Sequence, residues 1–437
     1  MKTVKLSTAC YKGTRDFYPD EMRIRKWMFS VMRSVVDSYG YEEYDGPMIE
    51  SIEIYKAKSG EEIVERQLYD FVDKGERHVA IRPEMTPTLA RMVAARSREL
   101  AKPIRWYSIP NLWRYEQPGK GRMREHWQLN VDVFGVNSIN AEVEIIQLAC
   151  DILYAFKAPK ESFRVKVSNR KLLDEFFNKS LALDETRGYN VSKILDKKNK
   201  ITPEEFENLL KNESLSAEQI ALVNKFLVAN LDNLHELPGL APDVVAEVTD
   251  LFYHLDKLGL RDQVDFDPSV IRGFDYYTGT IFEIFDTSPE NRRSLYGGGR
   301  YDNLTGLFGG DGLSGTGFGL GDVTMQNFLQ THGLIPVFEP EDTLFFPLMD
   351  EGMLEHILAV SSSMRREGIK CVTMLDPGVK LKKQLSVAEK KGYKYVVVIG
   401  EEEKDKKTVL LKNMKAGEQT EIPLAELAKT VKEEMNS

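Results

Sequence analysis

The sequence is poor in the residues that staple or metallate a fold. Across 437 residues it has 3 cysteines (Cys10, Cys150 and Cys371) and 6 histidines. Neither set has the paired spacing of a disulfide framework or a zinc site, so no protein-held metal is expected. Long apolar runs are missing as well. No stretch approaches the ~20 residues of a membrane-spanning helix, and Met1 to Arg15 lacks the apolar core of a signal peptide. The expectation is a cytoplasmic protein with no membrane partner. A third absence concerns nucleotide motifs. Neither Gly297-Gly298-Gly299-Arg300-Tyr301-Asp302 nor Gly315-Thr316-Gly317-Phe318-Gly319-Leu320-Gly321 has the spacing of a dinucleotide fingerprint or a phosphate loop. These glycines let a backbone approach a flat ligand closely, or they make a flexible segment. Excess positive charge is absent too. A formal net charge of −9 argues against a surface that binds nucleic acid everywhere, while leaving room for local basic patches.

What the chain does have is a hairpin pattern from Asn111 to Gly135. Trp127, Leu129, Val131 and Val133 fall on one parity, and Gln128, Asn130 and Asp132 on the other. Alternation of this kind predicts a strand with one buried and one polar face. Ile104 to Glu116 is also strand-like and sets Arg114 and Glu116 on one parity. Between them, Gln117 to Glu125 holds Pro118, two glycines, Lys120, Arg122 and Arg124, as suits a long mobile loop. The polar face offers cations for phosphates and a carboxylate for an amine edge. The same charges also fit an ordinary hairpin with a solvated tip.

Around it the elements alternate. Lys12 to Pro19 reads as a loop, followed by an amphipathic helix through Met28, Met32 and Val36 that Gly40 ends. Tyr44 to Ile54 reads as a strand interrupted by Pro47, which suits an edge or an interface. Phe71 to Ile81 reads as a hairpin turning at Lys74-Gly75. Arg82-Pro83-Glu84-Met85-Thr86 then precedes a helix over Thr88 to Ser97, where Glu84 and Thr86 are either caps or site residues. A helix over Ala141 to Phe156 and a strand over Phe163 to Val167 follow. From about 171 to 259 the chain turns helical and polar, which points to an insertion. Strands resume near Val264, and Asp322 is placed as an N-cap of a helix reaching Gln330. Pro336 to Asp342 reads as a linker. Residues 342–437 alternate strands and helices, predicting a small α/β domain with a mostly parallel sheet. Its helix from Lys380 carries Lys382, Lys383, Lys390 and Lys391, either a solvated face or an RNA contact.

Together these segments resemble the histidyl-tRNA synthetases, within the class II aminoacyl-tRNA synthetases. Gly46-Pro47-Met48-Ile49-Glu50 resembles motif 1 with its interface proline, and Arg114 to Gly135 resembles motif 2. Arg82-Pro83-Glu84-Met85-Thr86 is similar to the segment that holds the histidine amino group. Arg272-Gly273-Phe274-Asp275-Tyr276-Tyr277-Thr278-Gly279-Thr280 is similar to a signature peculiar to the histidine enzymes. The resemblance implies an α+β fold: a class II antiparallel-sheet catalytic domain over 1–337 with its helical insertion, then an anticodon-binding α/β domain over 342–437. It implies ATP-dependent ligation of L-histidine to tRNA(His) through a histidyl-adenylate, magnesium on the ATP phosphates, and a homodimer.

By the same resemblance, Arg272 and Arg114 are catalytic. Arg114, Glu116 and Arg122 bind ATP, and Glu84, Thr86, Gln128, Asp132, Tyr276 and Tyr277 bind histidine. Two positions depart from the pattern. Motif 3 ordinarily ends Gly-Leu-Glu-Arg, the arginine stacking on adenine, whereas this chain has Gly319-Leu320-Gly321-Asp322-Val323. That leaves Arg300 or Arg122 as substitutes. Asp132 stands where many relatives have glutamate. The rival reading is a non-catalytic, synthetase-like regulatory subunit of ATP phosphoribosyltransferase. That subunit generally lacks the C-terminal domain and loses positions that stand here as Arg114, Glu116 and Arg272.

Overall fold

The computed structural model describes residues 6–57, 63–195, 197–198, 201–270, 276–291, 293–338 and 342–435. It divides into two compact units, Met1–Ile335 and Pro336–Ser437. In the first unit the strands are β1 (Glu42–Glu43), β2 (Ile49–Ser51), β3 (Tyr69–Val72), β4 (His78–Ile81), β5 (Ile104–Ser108), β6 (Asn111–Trp113), β7 (Glu125–Phe134), β8 (Phe163–Asn169), β9 (Val264–Phe266), β10 (Thr280–Asp286), β11 (Ser294–Tyr301) and β12 (Gly315–Gly321). Nine of them form one sheet in the order β1-β5-β7-β12-β11-β10-β8-β9, with β6 paired to β7, and β2-β4-β3 form a small separate sheet. In the large sheet only β1–β5 and β8–β9 run parallel among the described residues. The rest is antiparallel, as expected.

One face of this sheet carries the core. Leu129, Val131 and Val133 of β7 pack there with Phe282, Ile284, Tyr296, Phe318 and Leu320. Helices cover them, two of them long. Pro19–Ser38 contributes Met28, Met32 and Val36, and Asn140–Ala155 contributes Ile145, Ile146, Ala149 and Leu153. The helical spacing of these residues gives each helix one apolar stripe, and burying it against a branched strand face is the main source of stability. A buried ion pair fastens the second helix. Nε and Nη2 of Arg300, 4% exposed, lie 2.5 Å from the two carboxylate oxygens of Glu142, 1% exposed. Its Nη1 and Nη2 also donate to the carbonyls of Val136 and Ser138. With all its donors directed inward, Arg300 is a structural residue and is no substitute for the motif 3 arginine.

Several boundaries differ from the sequence reading. The strand expected over Ile104 to Glu116 breaks at Pro110, which has no N–H for the ladder, so Arg114 and Glu116 lie beyond β6 in loop backbone. Pro47 likewise ends pairing early, and residues expected as strand near Ile54 form the helical turn Glu53–Lys56. Neither glycine run is a flexible segment: the first builds β11 and the second builds β12. Asp322 is the first helical residue of Asp322–Thr331 and does not cap it. The region from 171 to 259 is helical as expected, with Pro203–Asn212, Ala217–Leu227 and Pro242–Lys257 among its helices.

The second unit has a five-stranded sheet in the order Lys370–Thr373, Thr343–Phe346, Tyr395–Val398, Thr408–Asn413, Gln419–Pro423. The first two pairings are parallel and the last two antiparallel, so the sheet is mixed and not mostly parallel. Gln384 fixes the basic helix Leu381–Lys390 to it: its buried amide donates to Leu348 O and accepts from Leu348 N–H. That leaves Lys382, Lys383 and Lys390 exposed.

The pairing of β11 with β12 depends on residues without side chains. A Cβ on Gly298 would stand 1.8 Å from the carbonyl oxygen of Gly317, a backbone atom that cannot step aside. Gly298→Ala should therefore part the two central strands and cost about 1–3 kcal/mol, the usual range for overpacking. Urea denaturation tests it; an unchanged midpoint would refute the close-contact account.

Candidate active site

The opposite face of the large sheet is polar yet mostly covered. Asn130 and Asp132 are 6% and 3% exposed, because the helix Thr86–Arg96 and Tyr276 and Tyr301 close over that side. Strict alternation places His126, Gln128, Asn130 and Asp132 along this one face of β7. At ~3.3 Å per residue the row from His126 to Asp132 spans about 20 Å.

At the Asp132 end, acidic and phenolic groups converge. Tyr301 donates its hydroxyl to Asp132 Oδ1 at 2.5 Å, and Tyr276 donates to Glu84 Oε2 at 3.2 Å. The Tyr276 and Tyr301 rings meet edge to face at 5.7 Å, and Tyr277 lies 4.9 Å from Tyr276. Thr86, the first residue of its helix, acts on the same hydroxyl, lowering the Tyr276 pKa against the effect of burial. Room for this cluster comes from β12. A Cβ on Gly317 would fall 2.1 Å from Asp132 Oδ1, and one on Gly319 would fall 1.8 Å from Gln128 Nε2. The second glycine run thus exists to let polar side chains lie flat on the sheet.

The electrostatics follow from burial. Desolvation pushes the Asp132 carboxyl up to about 7, with the Tyr301 hydrogen bond working in the other direction. Tyr276, Tyr301 and Tyr44 are held well above the ordinary phenol value, first by burial and then by carboxylate charge: Glu84 for Tyr276, Asp132 for the other two. Neutral phenols around carboxyl groups make a recess suited to a small polar ring or an ammonium group.

At the other end of the row the hairpin forms a second recess of about 150 Å³. Arg114, Glu116, Arg122 and His126 line one side, and Gly321, Val323 and Thr324 the other. Nε of Arg114 donates to Pro83 O at 2.9 Å, tying this arginine to the Glu84 segment. Arg122 and Glu116 form an ion pair at 2.5 Å, the carboxylate 9% exposed. His126 is held neutral: desolvation, followed by the charges of Arg114 and Arg15, lowers its pKa to about 3. Its Nδ1 is buried without a hydrogen-bond partner among the described residues. The loop tip closes on itself through Gly119 and Arg122.

The expected residues are therefore sorted into two groups at the two ends of one strand. Glu84, Thr86, Asp132, Tyr276 and Tyr277 meet at one end. Arg114, Glu116 and Arg122 meet at the other, and Gln128 lies between. Arg272 falls outside the described residues. Sequence reasoning missed His126, although it shares the parity of Gln128 and Asp132. It also missed Tyr301, quoted only as part of a glycine-rich run, and Tyr44. The parity signal was available for His126; Tyr301 required knowing that β11 lies beside β12.

Asp132 yields a test in solution. Its folded pKa of about 7 exceeds the ordinary 3.8, so the folded chain holds a proton that the unfolded chain has released. The stability it confers is full below about pH 4 and lost as pH rises through 7. Asp132→Asn removes that loss. The variant should be more stable than wild type at pH 8, by at most on the order of 4 kcal/mol, with the gap narrowing toward pH 4. Urea titrations at both pH values measure it; an equal gap at each would exclude Asp132 as the titrating group.

The chain matches the family model described as "Histidyl-tRNA synthetase" over residues 13–322 and that described as "Anticodon binding domain" over residues 334–434. It is 55% identical over 437 residues to a protein named "Histidine--tRNA ligase" from Leptospira biflexa serovar Patoc, covering 100% of each. Among solved structures, the histidyl-tRNA synthetase of Nostoc sp. PCC 7120 is 25% identical, with a TM-score of 0.78 over 98% of this chain and 100% of that one. A Bacillus halodurans structure described as an "ATP phosphoribosyltransferase regulatory subunit/histidyl-tRNA synthetase" aligns over 90% of this chain and 99% of that one, with a TM-score of 0.75. At 22% identity it shows a shared fold alone.

Proposed function

Because this chain belongs to the histidyl-tRNA synthetase family and ligates histidine to tRNA at the expense of ATP, we propose that the row of side chains along β7 is the bed on which the two small substrates lie end to end. Supporting it is the sorting of groups along one strand: carboxyls and phenols at the Asp132 end, arginines at the His126 end. Histidine occupies the first recess. Glu84, Thr86 and Tyr276 take its ammonium group, while Asp132, Gln128 and Tyr277 address the imidazole. A carboxyl that titrates near neutrality ionises readily when a ring N–H arrives. An apolar isostere would leave these polar groups unpaired, so it is rejected strongly.

ATP occupies the second recess. Arg114 holds the α-phosphate, Glu116 accepts from the adenine amino group, and Arg122 leaves Glu116 to meet the terminal phosphates. A histidine carboxylate oxygen attacks the α-phosphorus, the bond to the bridging oxygen breaks, and pyrophosphate departs. Charge gathers on the phosphoryl oxygens, so fixed guanidinium groups are the principal catalytic resource. Arg272 contributes a second such group between carboxylate and phosphate. Magnesium enters on the ATP phosphates as part of the substrate. The terminal adenosine 3′-hydroxyl of tRNA then attacks the histidyl carbonyl, the bond from that carbonyl to the phosphate oxygen breaks, and AMP departs with no protein nucleophile.

We place the catalytic domain in residues 1–337, with its helical insertion at about 171–259, and the anticodon-binding domain in 342–437. The exposed lysines of Leu381–Lys390 contact the RNA backbone. The enzyme works in the cytoplasm as a homodimer. The apolar surface around Pro47 supports this assembly: Met48, Ile49, Phe71 and Val72 are 44%, 48%, 44% and 63% exposed on and beside the small sheet.

Histidine-dependent ATP–pyrophosphate exchange tests the site. Arg114→Ala and Arg272→Lys should each lower turnover by ~10²-fold, as losses of transition-state electrostatics do, with the KM for histidine moved only a few-fold. Lys382→Glu with Lys383→Glu should leave exchange intact and weaken tRNA charging. Full exchange in Arg114→Ala would remove that residue from the mechanism. Assembly is tested by light scattering of Ile49→Asp, which should shift the mass from dimer to monomer; a wild-type monomer with full activity would contradict the proposal.

A further inference from the structure

Residues Tyr11 to Phe17 take no part in the mechanism above, yet they join both walls of the second recess. On the hairpin side, the carbonyl of Gly13 accepts from Arg124 N–H at 2.8 Å and from Glu125 N–H at 3.3 Å. Gly13 has φ +88°, and a Cβ there would meet Arg124 Cγ at 2.7 Å, so the strap lies flat against the hairpin. Arg124 donates in turn to the Tyr11 hydroxyl at 2.9 Å.

Two residues further on, the strap reaches the other wall. Nη2 of Arg15 lies 2.7 Å from Asp322 Oδ2. The other carboxylate oxygen, Oδ1, accepts from the N–H of Trp127 at 3.0 Å. Asp322 is 1% exposed and directly follows Gly321, which lines the recess; Trp127 directly follows His126. One carboxylate thus links the strap, the floor strand and the start of the helix Asp322–Thr331. Trp127 is clamped from the same side, with Phe17 at 5.5 Å and the Arg25 guanidinium at 3.7 Å.

We propose that Arg15 is a positioning residue for ATP: through Asp322 it fixes the gap between His126 on the floor and Gly321–Thr324 on the wall, and so the width of the slot that receives the purine ring. This rests on reading the Arg114–Glu116–His126 recess as the ATP site. A flat ring needs its walls held to within about 0.5 Å. The Asp322 carboxylate turns away from the slot and is held from beneath. Without Arg15, the buried carboxylate loses its hydrogen-bonded countercharge, keeps only the weaker influence of Arg25, and either takes up a proton or turns toward water. Either response releases the wall from the floor.

The test separates the two substrates. In histidine-dependent pyrophosphate exchange, Arg15→Ala should raise the KM for ATP by ~10-fold or more while the KM for histidine stays within about two-fold. Arg15→Lys keeps the charge and should recover most of the loss. Asp322→Asn, isosteric and still able to accept from Trp127, should reproduce the defect. The double variant Arg15→Ala/Asp322→Asn should be no worse than the more impaired single one, since both break the same link. If Arg15→Ala does not fold, the Asp322→Asn result decides alone. A parallel rise in both KM values, or a lowered Tm with unchanged KM for ATP, would overturn the proposal and leave the pair a stability clasp. Arg122→Ala is the control for the underlying reading. If it too leaves the KM for ATP unchanged, the recess is not the ATP site; if it raises that KM while Arg15→Ala does not, only the positioning role fails.

Discussion

The arrangement depends on a place where side chains are missing. β12 presents glycine at 317 and 319 directly across from Asp132 and Asn130 of β7, and the Gln128 side chain lies over Gly319 as well. Any larger residue would drive those side chains off the sheet and into the space a ligand must fill. On this face β12 therefore acts as a spacer whose thickness is that of bare backbone. Its cost is conformational, since glycine loses more freedom on folding than any other residue. Helices packed on the opposite face, with Arg300 and Glu142 fastening one of them, supply the rigidity that the glycines do not.

Burial has opposite consequences at the two ends of β7. It favours the proton on Asp132 and removes it from His126, in both cases because a charge is costly away from water. At neutral pH the carboxyl is poised near half-titration, and the imidazole is an uncharged ring beside two arginines. The same strand thus provides a switchable acid where an amino acid with a titratable ring is to be read, and a neutral surface where a base is to lie. Neither property belongs to the residue type; each comes from its position along the row.

Much of this was legible in the sequence because it is written in parity. Alternation along β7 identified the polar face, and the segments around Glu84 and Tyr276 could be tied to it by their resemblance to family motifs. What parity did not convey was coverage. The polar face is buried, because a helix more than thirty residues away in sequence closes over it. Arg300 shows the opposite limit: a lone arginine in a glycine run suggested an adenine contact, but its partner Glu142 lies 158 residues distant and no local pattern announces the pair. Asp322 misled for a related reason. Its position at a helix start fits a cap, whereas the strap at Arg15 and the Trp127 amide claim its oxygens first. Proline at 110 was visible, but its effect on Arg114 and Glu116, moving both out of the ladder, depends on how the ladder ends.

The placement of His126, Gln128 and Asp132 on a single strand has a further consequence for the tolerance of error. Because side chains alternate with a period of two, sliding β7 by one residue against β12 would exchange its faces completely. Leu129, Val131 and Val133 would point into the recesses, and the polar row would point into the hydrophobic core. No intermediate setting keeps part of the row in place. A chain that has secured its interior has, by the same pairing, aimed every polar group of that strand, and one that has not has aimed none. Correct folding and a correctly addressed substrate bed are thus one discrete event, with the core acting as proofreader for the chemistry on the other side of the sheet.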